Sequence, residues 1–315
     1  MLAAGFVSHT DNLDVFWGGT GFLPLLGLRT KTVLTVHDLV YRIAPDTCRG
    51  RALWAGRLFF HRSLSRADAV LTNSRGTAQR LQETFGRRVT AVVQPGLSPL
   101  FRPASEGEID SLTRRLDLNR PYLLSIATRE PRKNLPLLVR TFRHLKERGL
   151  LADHNLVLAG DRGWKDAAIS AAVAEGGDSL RDIGYVPEDQ LAALYSGSDA
   201  FIFPSKYEGF GMPVLEARAC GTRVVTTDSP ELREAGGEDA IYVTPTEEGL
   251  TTGILKALES PPLNPLAPGT YSWKLSASVM ADVFRSLARV NDDTNHSRAR
   301  ERRYKSLART KCKGI

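Results

Sequence analysis

The strongest constraint on this chain is a rhythm. Short runs rich in Val, Ile and Leu recur between longer stretches that carry apolar residues at helical spacing. A run that is apolar at nearly every position suits a strand covered on both faces, and such strands belong to parallel sheets whose crossovers are helices. The sequence therefore specifies an α/β protein. Strands are expected at Asp14–Trp17, Thr32–Val36, Ala69–Thr72 and Thr90–Val93, with helices at Arg51–Arg66 and Ser74–Phe85. Gln94–Glu108 holds three prolines and two glycines and reads as a linker. Beyond it, strands at Tyr122–Ala127, Asn155–Ala159, Asp182–Tyr185, Ala200–Phe203, Arg223–Thr226 and Ile241–Val243 complete a second, doubly wound unit. Its helices are expected at Asn134–Arg148, Lys165–Glu175, Glu188–Ser196, Met212–Cys220 and Glu247–Glu259, with Asn134 as an N-cap and Gly221 as a C-terminal stop. The chain thus divides into a first Rossmann-like domain with linker (1–108), a second (109–271), a terminal helix (272–290) and a tail (291–315).

Composition narrows the class. No window approaches the ~18 consecutive apolar residues of a membrane span, and the opening residues lack the pattern of a secretion signal. Cys48, Cys220 and Cys312 lie far apart, which argues against a disulfide framework or zinc site and fits a reducing, cytoplasmic setting. The net charge of +7 is local: Arg298–Lys313 holds eight Lys/Arg and one acid, Glu301, so the remainder is neutral. A solvated tail is the favoured reading over contact with anionic lipid or nucleic acid, since Tyr304 is its one aromatic residue. The run Arg51–Arg66 combines Arg51, Arg57, Arg62 and Arg66 with Trp54, Phe59 and Phe60. It reads either as a core helix with a solvated basic side or as a face for the membrane interface.

Ligands of open parallel sheets gather outside the carboxyl ends of the strands. Arg129 and Lys133 follow one strand there, in ATREPRKNL, and Glu208 follows another, in FIFPSKYEGFGMPVLEARACG. Pro213 suits the first helical position, Gly209 and Gly211 allow close approach, and the amides of Gly211, Met212, Val214 and Leu215 are expected to point out of the helix start. Such a helix start is an anion site, and two cations beside it make a pyrophosphate clamp. Glu216 is placed to accept both hydroxyls of a ribose, and Glu208 faces the outer end of the diphosphate. Two decoys fall away. GGTGFLP, Gly18–Pro24, has Pro24 where a third dinucleotide glycine belongs, and ten residues from Gly21 to Lys31 leave no space for a crossover helix. No D-x-D triplet is present to clamp a metal.

The stretch from Pro121 to Ala288 resembles the C-terminal domain of glycosyltransferase family 4, the retaining GT-B enzymes, with Glu208 and Glu216 matching its E-x7-E signature. YSWKLSASVMADVFRSLA is similar to the family's closing segment, which returns to the first domain. The look is closest to bacterial polysaccharide mannosyltransferases. The resemblance implies two Rossmann-like domains facing a cleft. It implies Arg129 and Lys133 on the diphosphate, Glu208 on the donor sugar and Glu216 on the ribose. It extends the donor segment over Gly209, Phe210, Gly211, Met212, Leu215 and Glu216. His37, in LTVHDLV, is implied at the donor sugar near the reacting carbon; a hydrogen-bonded structural histidine beside Asp38 is the plainer reading. The turn Gly184–Tyr185–Val186 corresponds to the place where the family holds the base, and an ordinary strand-to-helix turn fits it as well. The expected activity is transfer of a sugar, mannose, from a GDP- or UDP-linked donor to a saccharide or lipid-linked acceptor with retention. No metal, further cofactor or nucleic acid is expected, and peripheral contact with the inner face of the plasma membrane stays open beside the core-helix reading of Arg51–Arg66. Family members begin with a strand and a Gly-rich loop well before the D-V-F segment, which stands here at Asp14–Phe16. The first domain is therefore expected to be incomplete. That keeps open a sugar-nucleotide-binding subunit, or half of a split enzyme that needs a partner chain.

Overall fold

The computed structural model describes residues 13–24, 30–164 and 167–289; the basic stretch Arg298–Lys313 lies outside them. Two parallel sheets form in chain order. The first has the order β1-β2-β3-β4, from Val15–Gly18 (β1), Lys31–Val36 (β2), Ala69–Thr72 (β3) and Ala91–Val92 (β4). The second has the order β10-β9-β8-β5-β6-β7. Its strands are Tyr122–Ile126 (β5), Asn155–Ala159 (β6), Leu180–Gly184 (β7), Ala200–Phe203 (β8), Val224–Thr227 (β9) and Ile241–Val243 (β10). Strand alternation explains why these runs are apolar throughout. Leu124, Val157, Phe201 and Phe203 face one core layer, while Leu123, Leu156, Leu158 and Ile202 face the other. The fold class is the α/β arrangement of two Rossmann-like units that the sequence specifies.

Several boundaries move. Gln94–Glu108 is not all linker: Glu106–Arg115 is a helix, with Ser105 and Glu108 in a reciprocal capping box. Phe101, Ile109 and Leu112 are buried in the second core, so the second domain begins before residue 109. The strand expected at Asp182–Tyr185 runs two residues earlier, as β7, because Arg181 and Asp182 belong to a sheet edge and break the apolar run. A helix at Pro230–Gly236, capped by Ser229, was not foreseen. Asn134 stands before its helix in the left-handed region, φ 55°, and its side chain caps nothing. Gly221 does adopt positive φ, 75°.

The helix over 273–289 recrosses to the first domain. Its Met280, Val283, Phe284 and Leu287 cover Val33, Ala69 and Leu71 of the first sheet, and the rings of Phe284 and Trp17 lie 6.1 Å apart. The two interdomain connections are tied where they pass, the Leu97 N–H donating to the Tyr271 carbonyl at 3.1 Å. β1 is an edge strand among the described residues.

Candidate functional site

β5 and β8 are hydrogen-bonded neighbours, so the segments leaving their carboxyl ends emerge side by side. A 3₁₀ turn at Pro131–Lys133 swings the first of these toward β8. Two hydrogen bonds fasten it there, the Lys206 N–H donating to the Arg132 carbonyl at 2.8 Å and the Arg132 guanidinium to the Tyr207 carbonyl at 3.1 Å, while the Lys133 N–H closes the turn itself on the Glu130 carbonyl at 2.9 Å. The result is a buried charge cluster. Lys133 Nζ lies 2.8 Å from Glu208 Oε1, Arg132 pairs with the other Glu208 oxygen, and Arg132 also reaches Glu130 at 3.2 Å. Lys133 and Glu208 are 8% and 7% exposed. Burial alone would raise the Glu208 carboxyl, but Lys133 and Arg132 outweigh it and hold the group below its ordinary value. Burial acts in the same way on Lys133 and draws its ammonium down, with Glu208 opposing.

The placement of the remaining sequence candidates differs from the sequence expectation in three respects. Arg129 is not in this cluster. Its backbone continues beside β6, bonded to the Asp161 carbonyl and bridging Arg162, and its side chain pairs with Asp182 on β7. The cation that stands with Lys133 is Arg132, which sequence reasoning passed over although it lies in the same ATREPRKNL segment. Second, the helix begins at the expected Met212, which makes Pro213 its second residue, and the amides of Val214 and Leu215 are not free: both donate to the Gly211 carbonyl, at 3.0 and 3.3 Å. Of the four amides expected at the site, those of Gly211 and Met212 are left without a main-chain acceptor among the described residues. Third, the Phe210, Leu215 and Val186 side chains are 3%, 0% and 6% exposed within the second core, so they support the site from behind and leave only main-chain groups for a ligand. Phe210 meets the ring of Tyr271 edge-on at 5.9 Å.

Glu216 is half-buried on the helix Met212–Ala219, where the Tyr195 hydroxyl donates to its Oε2 at 2.9 Å. Burial raises its carboxyl to about 7 against the pull of Tyr195, with Glu188 adding to the rise. Across the cleft, His37 is exposed at the end of β2 with Nε2 2.8 Å from the Gly19 carbonyl. Gly209 packs against the His37 main chain so closely that a Cβ would run into the His37 carbonyl. The structure thus brings the His37 main chain, Gly209, Glu208 and Lys133 to one place between the domains, while the His37 imidazole is held by Gly19 of its own domain.

Comparison with known proteins gives this arrangement its class. Residues 110–266 match the model of glycosyl transferases group 1, and residues 7–99 that of glycosyltransferase family 4. The chain belongs to this glycosyltransferase family, and its fold is the two-domain GT-B form. It is 30% identical over 255 residues to O-antigen chain mannosyltransferase B of Escherichia coli, covering 79% of this chain and 66% of that protein. It is 27% identical over 313 residues to the serotype-specific mannosyltransferase WbdA of Escherichia coli, covering 93% of this chain and 37% of that one. The chain therefore spans about two thirds of one relative and about a third of the other. A sucrose-phosphate synthase from Thermosynechococcus elongatus shares the fold at a TM-score of 0.65 and 21% identity, over 84% of this chain and 69% of that structure.

Proposed function

We propose that this chain transfers a hexose, mannose, from a nucleotide-diphosphate donor to a saccharide or lipid-linked acceptor, with retention, in the building of a bacterial surface polysaccharide. The observation that carries the reading is the buried Glu208 held by Lys133 and Arg132 at the shared end of β5 and β8, beside His37 of the opposite domain. The names of its relatives supply mannose and O-antigen chains. The donor's diphosphate, which joins the sugar to guanosine or uridine, draws Arg132 and Lys133 from Glu208 and takes the Gly211 and Met212 amides. Glu216 takes the ribose hydroxyls, and main-chain groups near Val186 take the base. The acceptor oxygen bonds to the anomeric carbon as the carbon–diphosphate bond breaks on the same face. The acceptor proton passes to a diphosphate oxygen, so charge grows where these cations stand. No metal is required by this scheme.

The test is turnover of the purified chain with a panel of sugar nucleotides and lipid-linked or soluble saccharide acceptors, with the anomeric configuration of the product read by NMR. A retained mannoside is expected. Donor binding by calorimetry without turnover would favour the alternative, a sugar-nucleotide-binding subunit that needs a partner chain. Absence of donor binding would remove both readings.

A peripheral membrane face belongs to the same proposal. Among the described residues no helix is long and apolar enough to cross a membrane. On the helical run 50–66, Trp54 and Leu58 are 65% and 60% exposed, beside exposed Arg51, Arg57 and Arg62, whereas Phe60 turns into the first core. Exposed aromatic and aliphatic residues among arginines suit an anionic lipid surface. Cosedimentation with anionic vesicles is expected, and its reduction in Trp54→Ala; recovery no better than with neutral vesicles would discard the face.

A further inference from the structure

Glu208 makes its ion pairs within its own domain, yet the residues on either side of it are held by the other one. Tyr207 is 1% exposed, and its ring lies in the first domain's core with Leu34, Val36, Leu39 and Leu81. Its hydroxyl accepts the Leu39 N–H at 2.7 Å, two residues beyond His37. The Gly209 carbonyl accepts two first-domain hydroxyls, Ser74 Oγ at 2.7 Å and Thr77 Oγ1 at 3.1 Å. Ser74 is fixed in turn as the N-cap of the helix Arg75–Phe85, where it accepts the Thr77 N–H at 2.9 Å. The Arg80 guanidinium stands 5.5 Å over the Tyr207 ring and pairs with Glu231, which is wholly buried, while Gly76 leaves no space for a side chain against the Glu231 main chain. Three consecutive residues thus alternate in allegiance: first domain, donor site, first domain.

We infer that Tyr207, Thr77 and Ser74 are positioning residues, through which the first domain sets the Glu208 carboxylate only when the two domains are together. The inference rests on the proposed transferase reading and adds to it the means by which domain contact assembles the donor site. With the domains apart, Tyr207 and Gly209 would lose these three hydrogen bonds, and the peptide that carries Glu208 would be tethered from its own side alone. Donor binding would be little affected, because the cations and the helix start belong to the second domain. The chemical step would be impaired, because the Glu208 geometry would drift.

The experiment compares Tyr207→Phe, Thr77→Val and Thr77→Ser. The first two remove one hydroxyl with little change in shape, and the third keeps the hydroxyl. For Tyr207→Phe and Thr77→Val, kcat is expected to fall about fivefold to tenfold each, the loss of one neutral hydrogen bond. The dissociation constant of the bare nucleotide should stay within about twofold, since neither residue is expected to touch it. Thr77→Ser should restore the rate. An unchanged kcat, a nucleotide affinity that falls in step with kcat, or failure of Thr77→Ser to rescue would each overturn the assignment. Hydrogen exchange at the Leu39 amide, measured without substrate, should speed up in Tyr207→Phe. An unchanged exchange rate refutes the grip whether or not the chain turns over. Faster exchange in a chain that never turns over would instead sink the transferase reading and leave the grip in place.

Discussion

The Glu216 carboxyl offers a pH test of the donor site. Burial lifts it from an ordinary 4.5 to about 7, although the Tyr195 hydroxyl already donates to it. A ribose that donates two hydroxyls needs the ionised form. Donor affinity should therefore rise with pH and level off above about 7. At pH 6 it should be about tenfold weaker than at the plateau, since one pH unit is a factor of ten in the ionised fraction. Binding below pH 7 should release a proton, because the incoming hydroxyls favour the carboxylate. The same shift governs stability with a definite sign. The native carboxyl holds its proton more tightly than the unfolded one, so stability falls as pH rises from about 4.5 to about 7 and stays lower above it. The full shift corresponds to about 3 kcal/mol, which solvent screening of a partly exposed group trims to about 2 kcal/mol. Glu216→Gln should recover most of that at pH 8 while weakening nucleotide binding there and flattening its pH dependence. Calorimetry of UDP and GDP from pH 5.5 to 8.5, in buffers of different ionisation enthalpy, reads affinity and proton release together. A flat affinity with no proton release would refute the ribose role of Glu216.

Three further outcomes follow from the same geometry. Lys133→Ala should lower kcat by roughly 10²–10³ through loss of a charge-stabilising donor, with circular dichroism unchanged; a rate near wild type would remove Lys133 from the chemistry. Arg80→Met leaves the wholly buried Glu231 without its cation and should cost about 3 kcal/mol in urea unfolding at neutral pH; a loss under about 1 kcal/mol would mean that water or another cation replaces Arg80. Gly209→Ala would drive a methyl group into the His37 carbonyl. It should enlarge the radius of gyration in solution scattering and reduce turnover about hundredfold or more, the scale of a 1 Å misplacement; unchanged scattering and rate would show that the contact is not part of the working state.

The sequence carried the sheets, both carboxylates and the crossover because each rests on a local pattern. Apolar runs such as LVLA and FIF have one reading in a parallel sheet, and Glu208 and Glu216 sit in a segment whose glycines and proline already mark a helix start. The helix Glu106–Arg115 was equally legible: Ser105 and Glu108 stand at capping-box spacing, but three nearby prolines outweighed them. Ser229-Pro230-Glu231 was a missed start of the same kind. Arg129 against Arg132 is a different problem. β5 lies between β8 and β6, so a residue leaving its end can serve either neighbour. Arg129, still extended, follows β6 and meets Asp182; the 3₁₀ turn then redirects Arg132 and Lys133 toward β8 and Glu208. Nothing in the order of basic residues states on which side of a strand each will fall. That depends on β6 and β8, strands far along the chain from this segment, and on the turn that Pro131 begins. The same limit hid Tyr207, which reads locally as one more aromatic residue beside a glutamate and acquires its role only because a different domain supplies the pocket around its ring. Site residues that act through a ligand leave a mark in their own segment. Those that hold the site together leave theirs in the partner segment, and a single sequence does not say which segments meet.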